Sequence, residues 1–254
     1  MNKLRIPKTD YSQIAKYYDK VRTVPHDVWL SKIIEYGRID ANCAVLDVGC
    51  GTGRFPLSIS TMKNSMLCAL EPSIEMLKQA FAKDKSRSVV WIQGDGQRLP
   101  FRDNVFDCVY MTLVIHHIEN KKTALEEIHR VLKKGGNCVI MTTSHSQIKR
   151  HISSDFPGIV EIDLKRFPSI PSLKKIMTMI GFRDVHHHIV QHGEGYISKD
   201  ECLKRFKNKY ISTLTLLSED DFQKGFRIFQ EKVRKKYGNK IERILRFVFI
   251  ASRK

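Results

Sequence analysis

Three carboxylates and a run of glycines carry most of the chemistry legible in this chain. Asp47 stands in VLDVGCGTGRF, residues 45–55, just ahead of Gly49, Gly51 and Gly53. Glycines at this spacing weaken any regular element, so the segment reads as a turn that something approaches closely. A strand that ends in such a turn and opens a helix is where α/β proteins take nucleotide-like ligands. The pattern is G-x-G-x-G, not the G-x-G-x-x-G of dinucleotide folds. The neighbouring Asp47 would repel a pyrophosphate and welcome an ammonium group. Glu71, about twenty residues beyond the turn, is placed to accept both hydrogens of a ribose diol. Asp95, between Gly94 and Gly96, is placed to accept from an exocyclic amine such as that of adenine. Together they describe a ligand with an amino-acid tail, a nucleoside head and no phosphate.

Positioning these groups requires alternating strands and helices. CAVLDVG, SMLCALE, SVVWIQGD, VFDCVYMT and NCVIMTTS read as short apolar strands. Between them, RFPLSISTM, SIEMLKQAFAK and KKTALEEIHRVLKK read as helices, the last ending at Gly135 and Gly136. Strands this short and apolar suit a parallel sheet covered on both faces, and the alternation predicts a doubly wound α/β fold. Two N-terminal helices are expected over residues 11–23 and 26–37. Residues 172–192 read as a helix, a glycine stop and a strand. A helical stretch follows over residues 198–238, with SEDD as a capping signal, and a last strand over residues 242–254. No Pro/Gly/Ser-rich linker interrupts the chain, so residues 1–254 are expected to form one domain.

Composition sets the class. Of 254 residues, 42% are hydrophobic and 28% charged, as in ordinary globular proteins. The start of the chain has no secretory h-region, and no apolar run approaches the roughly 20 residues that span a bilayer. Six cysteines without metal or redox spacing read as reduced buried thiols, which predicts a cytoplasmic location. The net charge is +17. Residues 1–145 hold 21 Lys+Arg against 15 Asp+Glu and residues 146–254 hold 23 against 12, so the excess concentrates late in the chain. Such a field favours anionic partners without choosing among them.

These motifs resemble the class I S-adenosylmethionine-dependent methyltransferases, within the ubiquinone-biosynthesis-like, type 11 group. VLDVGCGTGRF, ALEPSIEML, GDGQRLPFRDNVFDCVYMTLVIHHIEN and ALEEIHRVLKKGGNCVIMT carry the likeness across most of the chain. The resemblance implies a seven-stranded, mostly parallel sheet with an antiparallel last strand, an N-terminal helical lid and a helical insertion before that strand. It divides the chain into a lid (1–40), a donor-binding core (41–145) and acceptor-capping helices with the last strands (146–254). The implied cofactor is S-adenosyl-L-methionine. Gly49, Gly51 and Gly53 would lie against its methionine moiety with Asp47 beside it. Glu71 would hold the ribose, with Pro72 also among the cofactor-binding residues. Met76 would lie near the adenosyl group, Asp95 and Gly96 at the adenine, and Leu113 would wall the site. Asp107 reads as structural.

A sulfonium methyl is already activated, so the residues expected to act do so by alignment and by taking a proton. His116, in VIHHIEN, is the candidate base, and Tyr18, in AKYYD, is the second candidate through the lid. No metal is expected: His186, His188 and His192 have no carboxylate or Cys partner at ligand spacing, and they read as sheet-surface residues. Basic and aromatic residues interleave at Lys204, Arg205, Phe206, Lys207, Lys209 and Tyr210, which suits either a solvated helix or a nucleic-acid surface. The favoured acceptor is a small molecule, since the lid is short and no RNA-binding module is present. A tRNA methyltransferase of the wobble-uridine type is the alternative, supported by the basic tail. A donor-binding regulatory protein without turnover is the third reading.

Overall fold

The structure, a computed structural model, describes Ala15, Asp19, residues 27–63 and residues 65–254. The expected lid helix over residues 11–23, with Tyr18, therefore falls outside the described residues apart from Ala15 and Asp19. Strands β1 (Ala44–Val48), β2 (Met66–Glu71), β3 (Val89–Gln93), β4 (Phe106–Thr112), β5 (Leu132–Thr142), β6 (Arg183–Ser198) and β7 (Lys240–Arg253) form one sheet in the order β3-β2-β1-β4-β5-β7-β6. The first five pair in parallel, and β7 runs antiparallel to β5, with Cys138 opposite Ser252 and Ile140 opposite Ile250. The expected fold class is thus present, antiparallel last strand included.

Helix α1 (Asp27–Gly37) precedes β1, and α2 (Arg54–Lys63), α3 (Ile74–Lys83) and α4 (Lys121–Val131) connect the parallel strands. Ser73 and Asn120 cap α3 and α4, accepting from the backbone N–H of Met76 and Thr123. Helices α5 (His145–Arg150), α6 (Ile159–Arg166) and α7 (Ile170–Ile180) follow β5. Helices α8 (Lys199–Lys207) and α9 (Glu219–Lys236) form the insertion between β6 and β7. As the SEDD signal implies, Ser218 caps α9 by accepting from the Asp221 N–H.

One local reading is corrected. Helix α4 ends at Val131, not at the glycine pair, because Leu132 already pairs with Phe106 as the first residue of β5. The ladder then shifts register, so Lys133–Gly136 are drawn into the strand edge, where Lys133 pairs with Asp107. Residues 145–166, left unassigned by the sequence, hold α5, a single 3-10 turn and α6.

The chain contains two compact units. One comprises the described residues from Ala15 to Thr142 with Ile170–Ile189 and Val248–Lys254. Its core runs through Leu46, Val109, Ile128, Ile140, Leu173 and Ile250, each fully buried. The other comprises Thr143–Ser169 and Val190–Phe247 and is organised around the rings of Phe156, Phe206, Phe222 and Phe229. Within it, Arg166 is buried and donates to Thr213 Oγ1 at 2.8 Å and to Asp163 at 3.4 Å. Among the described residues no helix is long and apolar enough to cross a membrane.

Candidate active site at the carboxyl ends of the parallel strands

Because β1 to β4 run parallel, their following turns collect at one edge of the sheet. The strand order reverses between β1 and β4, the position where open α/β sheets bind ligands. The glycine turn after β1 is tied to β2: Gly49 N–H and Cys50 N–H both donate to the Leu70 carbonyl, at 2.7 and 3.1 Å. Gly49, Gly51 and Gly53 all take positive φ (82°, 56° and 78°), so each needs its glycine. What approaches them differs. A Cβ on Gly49 would meet Val114 methyls at 2.5 Å, and one on Gly53 would meet the Trp91 ring at 2.4 Å. A Cβ on Gly51 would point into open space. Two of the glycines thus admit protein side chains, and the middle one leaves the turn open.

Asp47, the penultimate residue of strand β1, is fully buried. Its Cα is paired across the sheet with Tyr110 on β4. Among the described residues neither carboxyl oxygen of Asp47 nor the Tyr110 hydroxyl has a hydrogen-bond partner within bonding geometry. Burial pushes the Asp47 carboxyl well above the usual carboxylate range; the nearby Tyr110 hydroxyl opposes the rise and the Glu71 charge adds to it. The Cys50 thiol is likewise driven well up by burial, which keeps it an unreactive thiol.

Glu71 ends β2 and is buried. One carboxyl oxygen accepts from Gly51 N–H at 3.0 Å and the other from Ser73 N–H at 3.1 Å. Burial raises its proton affinity, and these two donors hold it back. Each oxygen keeps a further lone pair for a ligand donor. Pro72 is exposed beside it and its carbonyl accepts from Gln93. Met76 is buried on the inner face of α3. Asp95 is exposed in the turn after β3 and Gly96 is buried behind it.

After β4, Leu113 adopts φ 56°, a left-handed conformation that a side chain of its size takes at a cost of about 1–3 kcal/mol. Its N–H donates to the Met141 carbonyl at 2.9 Å, and the turn it starts sets Val114 against Gly49. His116 is buried in this turn, its ring 4.0 Å from that of His117. The structure therefore brings Asp47, the three glycines, Glu71, Pro72, Asp95, Gly96, Leu113 and His116 to the turns along one sheet edge.

Residues not singled out by the sequence also belong here. Thr52, buried inside the glycine turn, donates to Asp19 at 2.6 Å, and Asp19 also pairs with Lys83 of α3 at 2.6 Å. Tyr110 and Val114 meet the turn from β4 and the segment after it. Sequence spacing has no signal for either, because both depend on which strands become neighbours. Among the described residues no group of three or more His, Cys, Asp or Glu side chains is arranged to hold a metal ion.

Comparison with known proteins agrees with this architecture. Residues 46–140 match the type 11 family model described as a methyltransferase domain. The chain is similar to the demethylmenaquinone methyltransferase of Lactococcus lactis subsp. lactis (strain IL1403), 28% identical over 228 residues that cover 78% of this chain and 90% of the relative. In fold it is similar to a protein of Anabaena variabilis ATCC 29413 described as a methyltransferase from an antibiotic biosynthesis pathway. That likeness has a TM-score of 0.72 and 20% identity, and covers 91% and 98% of the two chains. A Haemonchus contortus phosphoethanolamine N-methyltransferase 2, solved with S-adenosylhomocysteine, has a TM-score of 0.63 at 19% identity, covering 96% of this chain and 57% of its own.

Proposed function

The chain belongs to the class I S-adenosylmethionine-dependent methyltransferases, and from that membership we propose that it methylates a small-molecule acceptor. The acceptor class we favour is a quinone of the demethylmenaquinone kind, after the name of the Lactococcus lactis relative. The comparisons give the wobble-uridine tRNA reading no support.

The observation that carries the donor assignment is the buried carboxyl of Asp47 just ahead of the glycine turn, which among the described residues has only the neutral Tyr110 hydroxyl beside it and no cation. A buried carboxylate without a cation costs several kcal/mol, and an α-ammonium group supplies both the charge and the hydrogen-bond donors. In this reading Asp47 holds the ammonium, the open face at Gly51 admits the methionine chain, and Glu71 with Pro72 beside it takes the ribose hydroxyls. Met76 and Leu113 bound the adenosyl group, and Asp95 with Gly96 receives the exocyclic amine. S-adenosylmethionine supplies a methyl group already activated on a sulfonium. What remains for the chain is alignment, exclusion of water and removal of a proton from the acceptor, which we assign to His116. Tyr18 stays a second candidate for that role.

The test supplies methyl-labelled S-adenosylmethionine with a cell extract that is then divided into small-molecule, lipid, RNA and protein fractions. Label in the small-molecule or lipid fraction, lost in a Glu71→Ala variant, is the expected result. Label in RNA overturns the acceptor. Measurable donor binding with no transfer to any fraction favours the regulatory reading.

A further inference from the structure

The side chain of Gln97 links the exposed carboxylate of Asp95 to the start of α4. Its backbone N–H donates to Asp95 Oδ1 at 2.9 Å, and its Nε2 donates to Oδ1 at 3.3 Å and to Oδ2 at 3.1 Å. At its other end, Gln97 Oε1 accepts from Asn120 N–H at 2.8 Å. Asn120 is the cap of α4, so the amide is anchored to a rigid element. Behind the pair, Gly96 lies close to Val48 and Ile118: a Cβ there would meet Val48 Cγ1 at 3.0 Å.

This arrangement needs an amide. Asn120 N–H requires an acceptor, which fixes Oε1 on that side and turns the NH2 group toward Asp95. A carboxylate at position 97 would keep the Asn120 bond but face Asp95 with like charge. With Gln97 holding it from one side, the Asp95 carboxylate is left with lone pairs for a ligand N–H and is oriented before the ligand arrives. We propose that Gln97 is the positioning residue that makes this site select a 6-amino purine over a 6-oxo purine. The inference rests on the donor assignment above, in which Asp95 receives the adenine amine.

The experiment measures binding of S-adenosylhomocysteine and of its 6-oxo (inosine) counterpart to the full chain by calorimetry. The parent, Gln97→Glu, Gln97→Ala and Asp95→Ala are compared. Expected is a preference for the amine in the parent that falls about three- to tenfold in both Gln97 variants, the range for loss of one pre-ordered side chain. Because Q97E retains the acceptor for Asn120, a loss of preference at an unchanged melting temperature marks positioning, not misfolding. A parent-like preference in both Gln97 variants, with the preference lost in D95A, overturns the role of Gln97 alone. A parent-like preference in D95A overturns the adenine assignment and this inference with it.

Discussion

Asp47 is held where its charge is least welcome, and that has a measurable signature. Its folded-state proton affinity lies above the ordinary Asp value, because burial outweighs the opposing Tyr110 hydroxyl. Between those two values the folded chain binds more protons than the unfolded one, so stability falls as pH rises through that window. The D47N variant cannot titrate there. It is expected to gain in melting temperature relative to the parent as pH rises from about 4 toward neutrality. A difference that stays constant with pH would contradict the assignment. The same variant should lose at least about tenfold in affinity for S-adenosylhomocysteine, the penalty of removing one partner of a buried charge pair. Y110F removes the opposing hydroxyl, and the pH at which donor affinity rises should move upward. At this scale Asp47, Glu71 and Asp95 were legible because their spacing from the glycines is local. Tyr110 and Gln97 were not: one works through a register between β1 and β4, the other through a contact to Asn120.

Among the elements, α9 shows how packing overrides propensity. Gly225 sits mid-helix on the buried face, where alanine ordinarily stabilises by about 0.5–1 kcal/mol. Here a Cβ would meet Phe156 Cε1 at 2.5 Å, inside the aromatic core of that unit. Overpacking of this kind costs about 1–3 kcal/mol, so G225A is expected to lower stability in urea unfolding. Adding Phe156→Leu should recover part of the loss, whereas a more stable G225A would sink the argument. The central strands and their helices could be read because period and capping agree. The α4–β5 junction could not, since its lysines suit a helix and only pairing with Phe106 claims them for the strand. Helix α5 did carry a signal: Ser144 and Gln147 form a capping box, spaced as S-x-x-Q in the sequence.

For the whole molecule, charge is the property that invites error. A net +17 will attract polyanions whatever the acceptor is. Binding to bulk tRNA is expected to weaken steeply between low and physiological salt, while donor-derived label stays out of the RNA. Binding that survives high salt, with label entering RNA, would reverse that conclusion. The unit built from Thr143–Ser169 and Val190–Phe247 is discontinuous in sequence, so no linker composition announces it. The chain has two tryptophans, and they sit in different surroundings. Trp29 is buried and stacked against Phe249 of β7, at 6.3 Å. Trp91 is partly exposed, donates its indole N–H to Asp84 at 3.1 Å and lies against Gly53. One indole therefore reports on the apolar interior and the other on the glycine turn. A Trp29→Phe protein would leave a single emitter beside the turn, and Trp91→Phe a single emitter in the core. Fluorescence from the pair of variants would follow occupancy and unfolding in separate channels, with no label attached.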